Sequence, residues 1–323
     1  MKAAVLHQLG SIPIYEEFPI PIPQNEHQLI LNLKASALKN LDKLRVSGKH
    51  YASYTDLPVV VGIDGVGVLE DGTRVYAQGI TGMMAENALI SKNSYTILPD
   101  KIDNLTAAAL PNTVIGATMA LRFRAKMKKG DVVLINGATG VTGQIAVQIA
   151  KLDGASTIIV TGRNSESLEK LKSLGAEVII SLMQDDESII NQLKEIHRIT
   201  PVNIVIDYLW GHPVEMIISA LKGGGINNIT SKVRIVTVGS MAGENINLAS
   251  GTLRSTAIEI LGSGIGSISK EEMFLFNTEI LTEMFQLAAE GKLSIDTESA
   301  SLSDIETIWN YKPSPGKRLV VCM

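Results

Sequence analysis

Cysteine is almost absent. Cys322, next to last in a chain of 323 residues, is the only one. That excludes an intrachain disulfide and a cysteine zinc cluster, and it fits a reducing cytosol, so a cytoplasmic protein is expected. No apolar run reaches the about 20 residues of a membrane span. Residues 1–17 lack the apolar centre of a signal peptide and turn acidic at once. There is no basic excess either. Against 33 acidic residues stand 29 Lys and Arg, a net charge of −4, which gives no reason to expect nucleic acid as a partner. The five histidines (His7, His27, His50, His197, His212) have no metal-ligand spacing. No internal repeat or low-complexity tract is visible. What is present is a 45% hydrophobic composition, that of a globular protein, in a chain long enough for two cores.

Up to about residue 111 the chain reads as β-rich. Short apolar runs at 1–6, 29–35, 59–61 and 74–77 are separated by Pro, Gly, Asn and Asp. Pro19, Pro21 and Pro23 form an extended connector. Gly62, Gly65 and Gly67 suggest bulges or close backbone approach in a bent barrel, and Asp71-Gly72 a hairpin turn. From about residue 104 the pattern becomes α/β. Residues 105–121 are alanine-rich and helical, with Pro111 and Gly116 expected to break or begin a helix, and a further helix is expected to end at Lys128-Lys129-Gly130. Strands at 132–135, 156–161, 177–181, 203–208, 233–238 and 258–261 alternate with helices at 165–174 (capped by Ser165, stopped by Gly175), 185–199 and 213–222. Such alternation implies a doubly wound parallel sheet of six strands. The tail carries an amphipathic helix over 269–290 and a final strand at 318–322.

The organising stretch is residues 132–151, VVLINGATGVTGQIAVQIAK. A β-branched strand runs into Gly137-Ala138-Thr139-Gly140-Val141-Thr142-Gly143, and Ile145, Ala146, Ile149 and Ala150 then recur at helical spacing. A dinucleotide pyrophosphate needs a tight turn, a backbone free of Cβ atoms, and helical N–H groups aimed at the anion. Ala138 holds the first position of the usual G-x-G-x-x-G fingerprint, and Gly140 and Gly143 keep the rest. The next strand ends Thr161-Gly162-Arg163-Asn164, with no carboxylate before Glu166. An acid there would bind the ribose hydroxyls of NAD, whereas Arg163 accepts a 2′-phosphate, with Asn164 and Ser165 as neutral donors. NADPH is therefore the expected cofactor. Gly239-Ser240 and the turn containing Gly264 follow later strands at the carboxyl edge, where ligands of such sheets bind.

The whole chain resembles the medium-chain dehydrogenase/reductase superfamily, in its zinc-free quinone oxidoreductase branch. The resemblance runs from MKAAVL through KASALKNLDKLRVSG, LPVVVGIDGVGVLEDGTRVYA and AAALPNTVIGATMAL to the GKRLVV ending. It implies a GroES-like β-barrel domain (1–111), a Rossmann NADP-binding domain (112–265), and a segment returning to the first (266–323), in a homodimer. It also implies that the zinc-ligand positions of relatives fall on Asn40, Ile63 and Asn112, which cannot supply three nitrogen, sulfur or carboxylate ligands, so no metal is expected. Asn40 and Asp42 match the N-x-D portion of a motif that lines the nicotinamide pocket in relatives, with Asn40 alternatively a helix cap and Asp42 a loop anchor. Tyr51 and Tyr54 fall where relatives place a tyrosine near the substrate, and a phenol can donate a proton. Lys317 resembles a lysine near the cofactor. Trp210, Met83 and Met84 are candidates for an apolar cleft wall or for core. The expected activity is NADPH-dependent hydride transfer to a quinone or α,β-unsaturated carbonyl. Other readings are a zinc-type alcohol or ketone dehydrogenase, and a non-catalytic, crystallin-like NADPH-binding protein.

Overall fold

A computed structural model describes residues 1–222 and 231–323. The chain divides into two compact units, Met1–Asn112 with Met273–Met323, and Thr113–Glu272. The first unit opens with β1 (Lys2–Leu6), β2 (Ile14–Glu17), β3 (Gln28–Ala37), α1 (Asn40–Val46), β4 (Val59–Val60), β5 (Asp64–Val68), β6 (Arg74–Gly79) and β7 (Asn87–Ile97). β1 pairs antiparallel with β2 and β4. β3 pairs with both β5 and β7, while β6 joins those two, so the sheet closes on itself. Closure depends on close backbone approach, as the glycines implied. A Cβ on Gly65 would lie 2.9 Å from the Ala35 carbonyl oxygen, and one on Gly67 would overlap the Asn32 carbonyl. The Asp71-Gly72 hairpin is present, with Gly72 at φ +86° and Asp71 Oδ1 accepting from the Thr73 N–H at 2.9 Å.

One expectation fails at the next element. α2 (Asn104–Thr118) runs straight through Pro111 and Gly116 and continues as a π-helical segment, Met119–Arg124. Ala107, Ala109 and Leu110 are completely buried around the proline, so packing overrides its local cost. No separate helix ends at Lys128-Lys129-Gly130. Those residues form a turn closed by Asp131, whose Oδ2 accepts from the Lys128 N–H at 2.8 Å.

The second unit contains β8 (Val132–Asn136), α3 (Val141–Leu152), β9 (Thr157–Gly162), α4 (Ser165–Leu174), β10 (Val178–Ser181), α5 (Asp186–Ile199), β11 (Ile204–Asp207), α6 (Gly211–Leu221), β12 (Val233–Thr237), α7 (Ser250–Arg254) and β13 (Ile258–Gly262). The six strands are all parallel and stand in the order β10-β9-β8-β11-β12-β13, as a doubly wound sheet requires. Leu134, Ile159, Val205 and Ile235 from the sheet pack with Leu193 of α5 and Val214 and Ile217 of α6 in one core. The cap of α4 differs from expectation. It is Asn164, not Ser165, and its side chain accepts from the Ser167 N–H at 2.7 Å. Gly175, at φ +123°, ends that helix as expected.

The tail begins with α8 (Lys270–Leu275) and α9 (Leu281–Ala289), joined by a π-helical segment over Phe276–Ile280, then β14 (Thr297–Ser301), α10 (Ile305–Ile308) and β15 (Arg318–Cys322). β15 pairs antiparallel with β3, placing Val320 opposite Ala37, and parallel with β14. No helix among the described residues is long and apolar enough to cross a membrane.

Candidate functional site

In the second unit the glycine turn rests on a buried polar network. Thr161 Oγ1 donates to Asn136 Oδ1 at 2.6 Å, and Asn136 Nδ2 donates to Asp207 Oδ1 at 2.7 Å, linking β9, β8 and β11 at their carboxyl ends. All three side chains are fully buried. The turn is hung from them, with the Gly137 N–H donating to Thr161 Oγ1 at 3.1 Å and the Ala138 N–H to the Thr161 carbonyl at 2.9 Å. Burial pushes the Asp207 carboxyl up, and the Asn136 amide with the Leu209 and Trp210 N–H groups holds it back. Those N–H bonds also hold Trp210 at φ +54°, a conformation costly for a residue with a Cβ.

The glycines of the turn have different jobs. A Cβ on Gly143 would lie 2.6 Å from Ala138 Cα, so Gly143 lets α3 pack against the turn. A Cβ on Gly140 would meet only the Gly137 carbonyl oxygen, at 4.0 Å. Gly140 is the N-cap of α3, its backbone extended, and no side chain caps the helix. The space above Gly140 and the uncapped N–H groups thus form a cradle that a dinucleotide pyrophosphate fits, by charge and by steric room. Gly162 brings the end of β9 against this turn, since a Cβ there would lie 2.5 Å from Thr139 Cγ2. Arg163 follows, exposed, and among the described residues no acid pairs with it. Asn164 spends its oxygen on the α4 cap. At the ends of β12 and β13, Ser240 Oγ donates to Glu244 at 2.8 Å, and Gly264 leads a single 3₁₀ turn. Lys317 lies in the first unit, half-exposed, its Nζ 3.8 Å from Glu298 Oε1.

In the first unit the candidate residues are spread out. Asn40 is exposed and is the first residue of α1, not its cap. The cap is Lys39, which the sequence reading passed over. Its Nζ is buried and sits 2.7 Å from Asp64 Oδ1, 3.1 Å from the Ala37 carbonyl and 3.5 Å from Asp42 Oδ2. Burial pulls the ammonium down, but Asp42 and Asp64 overcome this and leave Lys39 raised. Burial pushes Asp42 up, with Lys39 opposing. Asp42 thereby anchors the start of α1. Tyr51 is 82% exposed, stacked on the His50 ring with centroids 4.1 Å apart. Tyr54 is partly buried. Together with Arg45, Pro58, Ile63, Gln78 and Ile80 it lines a cavity of about 500 Å³ that includes neither Asn40 nor Tyr51. Its hydroxyl is buried, and the Gly62 N–H lies close enough to favour the phenolate against the burial that opposes it. Met83 and Met84 are fully buried and belong to the core. Among the described residues no three His, Cys, Asp or Glu side chains converge as a metal-ligand set.

A parallel sheet in this strand order, with a glycine turn before an uncapped helix, defines a Rossmann-type dinucleotide fold. Comparison with known proteins agrees. The family model for zinc-binding dehydrogenase matches residues 141–280, a stretch that contains none of Asn40, Ile63 and Asn112. A probable NADPH-dependent quinone reductase of Emericella nidulans is 26% identical over 99% of both chains, and human quinone oxidoreductase is 27% identical over 84% of this chain and 82% of its own. The crystal structure of Escherichia coli quinone oxidoreductase complexed with NADPH superposes with a TM-score of 0.80 at 23% identity, covering 100% of both chains. These matches support the resemblance to the quinone oxidoreductase-like branch of the medium-chain dehydrogenase/reductase superfamily.

Proposed function

We propose that this protein is an NADPH-dependent oxidoreductase that reduces a quinone or an α,β-unsaturated carbonyl compound without a metal. The observation that carries the reading is the cradle at Gly140 and the N-terminus of α3, with an acid-free Arg163 at the end of β9. Bound NADPH supplies the hydride. The turn from Ala138 to Gly143 holds the pyrophosphate, Arg163 pairs with the 2′-phosphate, and the turns at Gly239-Ser240 and Gly264 bound the site at the carboxyl edge. The first unit binds the acceptor in the Tyr54 cavity. Its wall is mostly apolar, and Pro58, Ile63 and Ile80 suit a flat carbon skeleton. A relative supporting the enone reading is an Arabidopsis NADPH-dependent alkenal/one oxidoreductase, 32% identical over 58% of this chain and 53% of its own.

Zinc-type dehydrogenase chemistry is disfavoured by donor chemistry, since Asn40, Ile63 and Asn112 are poor zinc ligands. A binding protein without activity would leave the acceptor cavity without a purpose. We further propose a cytoplasmic homodimer that does not bind nucleic acid. The open edge strands β10 and β13 support self-association, and the net acidic charge supports the last point. The purified chain should oxidise NADPH with a small quinone or enone and ignore simple alcohols. Elemental analysis should find no zinc, and chelators should leave the rate unchanged. NADPH binding without turnover across a panel of quinones and enones would overturn the enzymatic reading.

A further inference from the structure

A second cavity, of about 470 Å³, is lined only by residues of the first unit, from β6, β7 and the helical segments of the tail. The functional reading gives it no role, yet its volume falls in the range of about 300–1,000 Å³ usual for small-molecule sites. No lining residue carries a charge at neutral pH, although 19% of the chain is charged. What the wall offers is neutral hydrogen bonding. Among the described residues nothing hydrogen-bonds the side chains of Gln78, Asn93 and Asn277. Thr278 Oγ1 donates to the Phe274 carbonyl at 2.8 Å and Thr282 Oγ1 to the Thr278 carbonyl at 3.3 Å, so each hydroxyl has committed its proton to the helix and keeps its lone pairs. Beside them Phe274 is 69% exposed and Ile97 61%, apolar surface left to water. Asn277 and Thr278 lie in the π-helical segment Phe276–Ile280, a helix distortion frequent at functional sites.

We propose that this cavity is a second binding site of the first unit, for a neutral polyhydroxylated ring of the pyranoside class. A phosphate, carboxylate or ammonium ligand would lose its hydration with no opposite charge in the wall to offset the cost. Amides both donate and accept, while the two threonines, their protons committed, only accept. Hydroxyl groups on the ligand match both, since each can donate and accept, whereas a carbonyl can only accept. A pyranoside carries hydroxyls around its rim and C–H groups on its faces, and such a face suits the exposed Phe274 ring. Gln78 lines both this cavity and that of Tyr54, so the two are neighbours within one unit. Competition between their ligands therefore separates a second site from an arm of the first.

Saturation-transfer NMR on the full chain with methyl β-D-glucopyranoside tests this and needs neither cofactor nor turnover, so it stands apart from the reductase reading. Transfer should saturate at about millimolar concentration, as a few hydrogen bonds and one stacked face allow. Phe274→Ala and Asn277→Leu should each weaken binding at least about fivefold, and Phe274→Trp should retain it. If Asn277→Leu does not fold, the two Phe274 variants carry the test, because that side chain is exposed and its loss leaves the core intact. Cyclohexanol, with the ring but a single hydroxyl, and glucuronate, with a carboxylate added, should bind at least about tenfold more weakly than the glucoside. Transfer that never saturates, transfer unchanged in the Phe274→Ala and Asn277→Leu variants, or glucuronate binding as well as the glucoside would overturn the proposal. So would displacement of the glucoside by duroquinone, since the cavity would then be an arm of the acceptor site. Glucoside binding that persists in a chain without reductase activity would uphold it.

Discussion

Arg163 and Asn164 are neighbours in sequence with different surroundings. Arg163 is exposed with no acid paired to it among the described residues, while Asn164 is bound into the start of α4 through Ser167. If Arg163 reads the 2′-phosphate, NADPH should bind several-fold to about tenfold more tightly than NADH, the exposed setting limiting the gain. Arg163→Ala should erase most of that preference and leave NADH affinity nearly unchanged, as read by cofactor fluorescence titration. Equal affinities in the unaltered protein would remove Arg163 from the site. Asn164→Ala should behave differently. It should lower stability by about 1 kcal/mol through the lost cap, measured by denaturant unfolding, and leave the NADPH-to-NADH ratio in place. The strand end without a carboxylate is visible in the sequence. Which of Asn164 and Ser165 caps the helix is set by local backbone geometry, and spacing alone gave the wrong residue.

At the scale of elements, the glycine turn offers a sharper contrast. Gly143 is required by the fold, whereas at Gly140 the fold leaves room for a Cβ and only the proposed pyrophosphate contact calls for glycine. Gly143→Ala places a Cβ 2.6 Å from Ala138 Cα, so α3 must move off the turn, at a cost of about 1–3 kcal/mol. Gly140→Ala meets nothing closer than 4.0 Å at φ −73°, so the melting temperature should hold while NADPH affinity falls. A Gly140→Ala protein that binds NADPH normally would show that the phosphates do not approach this backbone. Elements with strong apolar periodicity and clear stops were legible. β8, α4, α5 and β15 all fall within a residue or two of where pattern put them. α2 was not, because the burial that carries the helix through Pro111 comes from distant residues. β14, the polar TESAS, has no alternation to read and is fixed by pairing with β15.

Across the whole molecule, the feature least legible in the sequence is the buried charge cluster of the first unit. Lys39 and Asp42 come from the start of α1, Asp64 from β5, Tyr76 from β6 and Arg318 from β15, so it ties the last strand of the chain to its first hundred residues. Lys39 stands 2.7 Å from Asp64, the Tyr76 phenol meets the same carboxylate, and Arg318 feels both Asp42 and Asp64. Lone charged letters spread over almost the full length of the chain carry no periodicity that would announce this. Lys39→Met leaves the two carboxylates short of one buried cation, which should cost about 3–5 kcal/mol near neutral pH. The sign of the pH dependence follows from the shifts. Asp42 is raised above its ordinary 3.8, so the folded state holds its proton more tightly than the unfolded chain does, and removing Lys39 strengthens that preference. The deficit of Lys39→Met should therefore shrink as pH falls toward the carboxylate range. In the unaltered protein Lys39 is raised above its ordinary 10.5, so its stabilisation is complete below that value and fades as pH rises through the folded-state value. Denaturant unfolding of both proteins from acid to alkaline pH should give curves that lie far apart at neutrality and approach each other at both ends. A constant gap over the whole range would mean that Lys39 stabilises the barrel by packing, and that its charge is spent without effect.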